Sequence, residues 1–396
     1  MTYARIGAVA VLASVLPPPT ASRPHAERSP DTTYFVSSAG NDATGMANDA
    51  TRPFRSPRRA YAAIPADITR DNGDHVIQIM DSGVYGQLTM SLKRTDSAHR
   101  IVLRAATGAA PTLDAHSKGD GSPGKSANNP ALRVHASHVV VQGLRFNNTS
   151  IDTTIGRDFG GSEVMVRIDG SHVEILGNFF DGNHRVPTIT DMFLLVCDTA
   201  SENVVADNRF DFSGGKGLIY VGAGCTNRAP GRQTIRNNVL SRFGNKPQGV
   251  CAAINFGGAT ASRAGNGSEV ANNTIHDNGG GCFGILNTNG SDIVVRNNIL
   301  SRITGQRYAI GCTGSVAPSV NTAASRSVAR NLLFFSNDRD VDPTCATKGW
   351  ISEGHISADP MYADPGAMPP DLRLRCARGD FGAYGTASLS GRPCGT

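Results

Sequence analysis

The chain has 396 residues, of which 18% are charged and 45 are glycine. Long surface helices need more Glu, Lys and Leu than this, whereas short strands joined by tight turns favour glycine. The chain is too apolar to be disordered, and no apolar run is long enough to cross a membrane. The net charge of +5 comes without a run of Lys or Arg, which argues against nucleic acid as a partner. Composition therefore predicts a β-rich protein that binds neither nucleic acid nor a membrane.

The first predicted element is an export signal. Arg5 precedes an apolar run, Ile6–Leu16, which is followed by three prolines and several small residues. One positive charge, a short apolar core and small residues are typical of a secretory signal peptide and not of a membrane span. We assign residues 1–26 to this signal peptide and leader, and we expect a secreted protein.

A repeat of about thirty residues runs through the middle of the chain. Each copy holds an alternating strand, an asparagine at a bend, a second short apolar strand and a Gly-rich turn. The asparagines are spaced 30, 30, 35 and 25 residues apart, at Asn178, Asn208, Asn238, Asn273 and Asn298. A unit this short cannot bury its apolar face alone, so successive copies must stack and pair strand with strand. The repeat predicts an all-β fold, a right-handed parallel β-helix, in which these asparagines form a buried ladder.

Segments on either side of the repeat resemble the secreted, pectate-lyase-like parallel β-helix proteins. The N-terminal segments are Tyr34–Asp42, Arg52–Phe54, Ala60–Ile64, His75–Ile79, Gly83–Tyr85 and Ile101–Ala105. The C-terminal segments are Asp359–Pro365, Asp371–Leu374 and Asp380–Tyr384. The resemblance implies a β-helix domain over residues 33–385, with a helix capping its N-terminal end, a closing element at its C-terminal end, and a tail from 386 to 396. It is specific for the fold, since lyases, hydrolases, epimerases and non-catalytic adhesins share it.

The start of the capping helix can be placed from two residues. Ser56 is a good N-cap residue because its hydroxyl can accept a hydrogen bond from a backbone N–H of the first turn. Pro57 is favoured at the first helical position, where its missing N–H costs nothing. The sequence therefore predicts a helix that begins at residue 57.

The cysteines are predicted to form disulfides between neighbouring turns of the solenoid. There are eight, none before Cys197, and no CxxC pair suggests a metal site. Cys197 and Cys225 follow the same strand of consecutive repeats, so stacking should bring them within bonding distance. The other candidates are bridges between rungs among Cys251, Cys282 and Cys312, and a bridge in the tail between Cys376 and Cys394.

Residues at one offset from the ladder should form a column with one member in each repeat. Three residues after the asparagines, this column holds Asp181, Asp211, Ser241, His276 and Ser301. Eight residues after them, Lys216 and Lys246 occupy consecutive repeats, and His184 and Arg185 lie beside this column one repeat earlier. Ionisable residues therefore concentrate on the turns of three neighbouring repeats, which are either solvated turns or an active site.

The leading functional prediction is a polysaccharide lyase acting on an acidic, uronate-containing glycan. Elimination needs a cation for the substrate carboxylate, a base for the adjacent proton, and a donor for the departing oxygen. A lysine can act as that base when a neighbouring cation lowers its pKa, which Lys216 and Lys246 would do for each other. His184 and Arg185 are the further cations of this predicted site. We expect a monomer whose partner is the polysaccharide.

Two alternatives and one cofactor stay open. A glycoside hydrolase needs two carboxyl groups across the scissile bond, which Asp181 and Asp211 would supply. A non-catalytic glycan-binding or surface protein needs no such pair. Calcium, which lyases of this fold often use, has weak candidate ligands in Asp191, Asp198 and Asp207, because a turn aspartate more often caps its own turn.

Overall fold

The computed structural model describes residues 31–114, 130–147, 164–182, 192–197, 200–213, 217–222, 230–244, 251–257, 264–288, 290–312, 326–366, 370–374 and 382. We number the strands β1–β32 and the helices α1 and α2 along the chain. Three parallel sheets enclose one continuous apolar core. The fold is a right-handed parallel β-helix, as the repeat predicted.

The chain passes in turn through sheet A, sheet C and sheet B, and each such circuit is one rung. Sheet A contains β1 Thr32–Val36, β2 His75–Ile79, β5 Ile101–Ala105, β8 Val139–Gln142, β11 Glu174–Leu176, β14 Asn203–Ala206, β17 Gln233–Arg236, β20 Glu269–Ala271, β23 Val294–Arg296, β26 Val328–Arg330 and β29 Ile351–Glu353. Sheet B contains β4 Leu88–Met90, β7 Leu132–Val134, β10 Val164–Ile168, β13 Met192–Val196, β16 Gly217–Val221, β19 Ala252–Phe256, β22 Phe283–Asn287, β25 Tyr308–Gly311 and β28 Arg339–Val341. Sheet C contains β3 Val84–Tyr85, β6 Thr112–Asp114, β9 Arg145–Asn147, β12 Phe179–Asp181, β15 Arg209–Ser213, β18 Val239–Phe243, β21 Thr274–His276, β24 Ile299–Ser301, β27 Leu333–Phe335 and β30 Ile356–Ser357.

A short helix covers the N-terminal end of the core, as predicted. Helix α1 spans Pro57–Ala63 and packs Ala60 and Tyr61 against the first rungs. The Ser56 hydroxyl accepts a hydrogen bond from the backbone N–H of Arg59 at 3.2 Å. Within the described ranges, no helix is long and apolar enough to cross a membrane.

The C-terminal elements do not all continue the solenoid. Helix α2, Thr344–Thr347, joins β28 to the last strand of sheet A. After β30, the strands β31 Tyr362–Asp364 and β32 Asp371–Leu374 form an antiparallel hairpin. Its apolar side chains pack on Val239, Ile299 and Leu333, which belong to sheet C. The hairpin therefore lies along the outer face of sheet C.

The predicted asparagine ladder is present at the bend between sheets A and C. The five asparagines are at most 2% exposed. Each Nδ2 donates to the Oδ1 of the next asparagine at 2.9–3.1 Å, from Asn178 to Asn298. The same Oδ1 also accepts the backbone N–H of the preceding asparagine. The ladder thus links each of these rungs to the next one through both the side chain and the backbone N–H of its asparagine.

The residue before each ladder asparagine has a left-handed backbone. The φ angles lie between 55° and 60° at Gly177, Asp207, Asn237, Asn272 and Asn297. Only Gly, Asn and Asp adopt this conformation readily. The repeated choice of these residues therefore turns the chain sharply from sheet A into sheet C.

Aromatic side chains of sheet C stack inside the solenoid. Phe146, Phe180 and Phe210 are fully buried, and their ring centroids are 4.9 Å and 4.3 Å apart. Residues one rung apart repeat the same inward position because the parallel register is maintained. The stack contributes apolar burial and ring contact together.

Disulfides join neighbouring rungs, as predicted. Cys251 bonds to Cys282 across 31 residues, just before β19 and β22. Cys312 bonds to Cys345, which lies in α2. Cys197 is also disulfide-bonded. The pairing partner that the sequence predicted for it, Cys225, lies outside the described residues, as do Cys376 and Cys394.

The ladder generates a prediction about stability. Replacing Asn238 by Ala removes the acceptor for two donors of Asn208 and the side-chain donor to the Val205 carbonyl. We expect a loss of about 3 kcal/mol in the free energy of unfolding, measured by urea denaturation. The control is Asn237→Gly, which keeps the left-handed backbone and should cost less than about 1 kcal/mol. Equal losses in the two variants would contradict the role of the ladder.

The disulfide pairing also makes a testable prediction. Peptide mapping of non-reduced protein should recover Cys197 linked to Cys225, since both follow sheet-B strands of adjacent rungs. The bridge Cys251–Cys282 is the internal control of the same digest. A peptide that links Cys197 to Cys376 or Cys394 would contradict the prediction.

Candidate functional site

The outer face of sheet B carries one column of side chains that point away from the core. Their strand neighbours on either side, such as Val166 and Ile168, are fully buried in the core. Strand alternation therefore directs the column outward. In register from the N-terminal end, the column contains Arg133, Arg167, Leu195, Tyr220, Asn255 and Leu286.

A buried carboxylate holds the two arginines of this column together. Asp169 is 7% exposed at its side chain and follows the end of β10. Its Oδ2 accepts from Arg133 Nε at 3.0 Å, and its Oδ1 accepts from Arg167 Nε at 2.8 Å. His135 Nδ1 lies 3.2 Å from the same Oδ2. One negative charge thus supports two guanidinium groups from adjacent rungs.

Further along the same face, the side chains are apolar or neutral. Met192, Leu195 and Tyr220 form a buried cluster that is separate from the core. Burial raises the pKa of Tyr220, and its hydroxyl is hydrogen-bonded to Asn255. Asn255 Oδ1 is buried and has no partner within the described ranges. Between Arg167 and Asn255, the face therefore changes from cationic to neutral along the solenoid axis.

Four of the predicted catalytic residues belong to connections that lead into this face. Lys216 immediately precedes β16, and Lys246 belongs to the connection between β18 and β19. His184 and Arg185 belong to the connection between β12 and β13. All four lie outside the described residues.

Sheet C keeps the register that the predicted alignment of Lys216 with Lys246 assumes, whereas sheet B does not. Ser213 pairs with Phe243 in sheet C, so both lysines are three residues beyond matched positions. In sheet B, however, Gly217 pairs with Ala252. Three residues join β15 to β16, whereas eight join β18 to β19. The equal offset from the ladder is therefore lost between the two sheets.

The column three residues beyond the ladder exists in sheet C. Asp181 pairs with Asp211, and Asp211 pairs with Ser241. Asp211 is 2% exposed, and it accepts from Arg242 through both carboxylate oxygens at 2.9 Å and 2.6 Å. It also accepts from the Ser241 hydroxyl at 2.9 Å. These bonds make Asp211 and Arg242 a structural ion pair. Loss of either partner would strongly destabilise the folded protein. Asp181 is more open, with Arg145 at 3.7 Å.

The candidate calcium ligands are only partly described. Asp207 is exposed at the bend and has a φ of 60°, which suits its role in the turn. Asp191 and Asp198 lie outside the described residues. Among those that are described, no three His, Cys, Asp or Glu side chains converge as metal ligands. Calcium binding stays a prediction.

A buried hydrogen-bond chain lies where the hairpin covers sheet C. His276 Nδ1 and the Ser301 hydroxyl are 2.9 Å apart, and Ser301 is 2.9 Å from the Tyr362 hydroxyl. His276 is 2% exposed, and burial lowers its pKa to about 4. Asp277 and Arg302 act on it in opposite directions. The neutral imidazole therefore helps to fasten β31 to the solenoid.

Sequence reasoning missed the cluster around Asp169. The signal was present, since Arg133 and His135 flank one core valine as Arg167 and Asp169 flank one core isoleucine. Both triplets occupy the same register in sheet B. Neither triplet contains or adjoins a ladder asparagine, so counting offsets from the ladder did not bring the two triplets together.

Comparison with known proteins finds only distant structural similarity. No family model matches the sequence, and no curated protein matches it. An alginate lyase from Paenibacillus sp. FPU-7 has 13% identity over 74% of this chain and 95% of its own, with a TM-score of 0.43. Pectate lyase Pel9A has 12% identity over 84% and 83%, with a TM-score of 0.47. Pectin methylesterase PemA from Erwinia chrysanthemi has 14% identity over 79% and 94%, with a TM-score of 0.38.

The buried histidine generates a prediction about pH. Below pH 6.5 the unfolded chain protonates His276, whereas the folded protein does so only near pH 4. Since the unfolded state then binds more protons, the free energy of unfolding should fall by about 3 kcal/mol between these values. Urea titrations of wild type and His276→Gln measure the difference.

The variant should lose this part of the pH dependence. His172→Asn is the control, because His172 is an exposed histidine in a left-handed turn. It should keep the wild-type slope. An unchanged slope in His276→Gln would contradict the assignment of the titration to His276.

Proposed function

We propose that the protein is a secreted carbohydrate-active enzyme, a polysaccharide lyase that cleaves an acidic, uronate-containing glycan on the outer face of sheet B. The observation that carries this proposal is the sharing of Asp169 by Arg133 and Arg167. Among the described residues, two guanidinium charges face one carboxylate charge, so the described part of this face has a net positive charge. A polyanion is the partner that such a site favours.

Guanidinium chemistry suits the carboxylate of a uronate. A guanidinium offers a planar fork of donors that matches a carboxylate in geometry. Arg133 uses its Nε for Asp169, and its terminal nitrogens make no bond within the described ranges. Its side chain is 36% exposed. Arg133 is therefore suited to bind a substrate carboxylate while Asp169 keeps it in place.

The proposed reaction is an elimination. Binding of the uronate carboxylate to a cation makes the proton on the adjacent carbon more acidic. Lys216 or Lys246 removes that proton as the unprotonated amine, a form that the other cations of this face would favour by lowering the pKa of the lysine. A carbon–carbon double bond forms as the glycosidic carbon–oxygen bond breaks, and the departing oxygen receives a proton. No water is consumed, so each cut leaves one unsaturated chain end.

The spacing of the strands along sheet B suits a polymer. Lys216 precedes β16, which is two strands beyond the β10 strand of Arg167. Two strand spacings are ~10 Å. A polymer that lies along the solenoid axis and binds one carboxylate at the arginines would extend past β16. His184 and Arg185, between these two strands in the chain, would add further positive charge.

Export of the enzyme is proposed on two grounds. The disulfides Cys251–Cys282 and Cys312–Cys345 are typical of proteins from oxidising compartments. The predicted signal peptide at residues 1–26 lies outside the described residues. An enzyme for polymeric glycans also has to meet its substrate outside the cell.

The lyase proposal is tested on uronate polymers with and without calcium. We expect ultraviolet absorbance to rise as the unsaturated product forms. The double variant Lys216→Ala, Lys246→Ala should lose turnover while its melting temperature stays nearly constant, because loss of surface lysines costs little stability. Arg133→Ala should raise KM by about ten-fold or more, since a charged hydrogen bond to the substrate is lost. Arg236→Ala, an exposed arginine of sheet A, is the matched control and should behave as wild type.

Other outcomes decide between the alternatives. New reducing ends without an absorbance rise would indicate hydrolysis and would direct attention to Asp181. Binding without turnover would indicate a glycan-binding protein. Loss of activity with a chelator would support calcium, for which the proposed ligands are Asp191 and Asp198. Full activity of the double lysine variant would overturn the mechanism.

A further inference from the structure

A second candidate binding site lies on a different face of the solenoid. The hairpin β31–β32 and the outer face of sheet C enclose a cavity of about 370 Å³. Ligand sites of proteins are typically ~300–1,000 Å³. The side chains that matter here are His276, Arg302, Phe335, Asp359, Met361 and Tyr362.

The cavity contains a cation without a partner. Arg302 is exposed, and no hydrogen bond or ion pair of its guanidinium is found within the described part of the chain. Its counterpart two rungs earlier, Arg242, binds Asp211 through both carboxylate oxygens. Asp211 lies one rung before Arg242, and at the corresponding position one rung before Arg302 the chain has His276. Arg302 thus lacks the internal carboxylate that neutralises Arg242.

A buried nitrogen also faces this cavity. His276 is 2% exposed and uses Nδ1 for Ser301. Its Nε2 has no hydrogen-bond partner among the described residues, and the side chain lines the cavity. A polar ring nitrogen at a nearly closed position favours a ligand that brings a hydrogen-bonding group to it.

Other side chains that line the cavity are apolar or acidic. Phe335 is half-buried, and with Met361 it offers an apolar surface. Asp359 accepts from the backbone N–H of Met361 at 2.7 Å and adds a carboxylate at the cavity. A carboxylate beside a cation disfavours a simple polyanion, but it accepts hydrogen bonds from hydroxyl groups.

We propose that this cavity binds one sugar-acid unit, a ring that bears a carboxylate and hydroxyl groups. The ligand carboxylate pairs with Arg302, a hydroxyl donates to Asp359, another polar atom bonds to His276 Nε2, and the C–H face of the ring packs on Phe335. Arg302 and His276 Nε2 have no partner among the described residues, and a carboxylate such as that of Asp359 can accept more hydrogen bonds than the one from Met361. The site is separate from Arg133 and Arg167, which lie on sheet B.

The same chemistry has two sources, a free sugar acid or one unit of a polymer. Titration with glucuronate and galacturonate, followed by the NMR shifts of the His276 ring, tests the first. For a ligand of this size we expect a Kd of about 1 mM. A short uronate oligomer tests the second: binding at least as tight as that of the monomer indicates a chain unit, and weaker binding indicates a free sugar acid. The proposal requires one of the two to bind.

Three comparisons make the test specific. Arg302→Ala should weaken binding by about ten-fold or more. Arg330→Ala removes the same charge from sheet A and should leave Kd unchanged. Glucose, which lacks the carboxylate, and benzoate, which lacks the hydroxyls, should each bind at least about ten-fold more weakly than glucuronate.

The site would be overturned if glucuronate, galacturonate and the uronate oligomer all failed to show saturable binding at about ten times the expected Kd. It would also be overturned if Arg302→Ala and Arg302→Gln left binding unchanged. Two variants are used so that a folding defect in one does not decide the outcome. Equal binding of benzoate would overturn the sugar-acid class. These measurements need no turnover, so they stand or fall separately from the lyase activity.

Discussion

The buried amide ladder from Asn178 to Asn298 is the interaction on which the rest of the structure depends. Each amide oxygen accepts both a side-chain N–H and a backbone N–H of the preceding asparagine. A change of register by one residue would separate these partners and turn every side chain to the opposite face. The ladder therefore fixes the bend between sheets A and C, and with it the columns in which side chains are repeated from rung to rung.

Control by the ladder weakens with distance along the rung. Positions in sheet C keep their offsets, as the pairing of Asp181 with Asp211 shows. Connections from sheet C to sheet B differ in length, so offsets are not kept there. Sheet B restores a register of its own, in which Gly217 meets Ala252. Connections of different length therefore meet sheet B at one edge. Changes in these connections can alter what the surface binds without disturbing the core.

Charge balance separates two buried carboxylates that look alike in sequence. Asp211 has one arginine on both of its oxygens, which makes a neutral internal pair. Asp169 divides its oxygens between two arginines, so among the described residues positive charge exceeds negative charge at this part of sheet B. The first arrangement stabilises the rung, and the second is able to attract an anion. The same reasoning distinguishes Arg242, which has an internal carboxylate, from Arg302, which does not.

The sequence by itself determined the solenoid, because a thirty-residue period and buried asparagines admit few other packings. It also determined the capping helix at Ser56 and Pro57, since caps depend on local hydrogen bonds, and disulfides between neighbouring rungs, since stacking repeats brings such cysteines together. Only the tertiary structure decided what each charged side chain does. The partners of Asp169 and Asp211 come from other rungs, and the hairpin that encloses His276 folds back over sheet C. Such contacts join residues distant in sequence, and a periodic pattern carries no information about them.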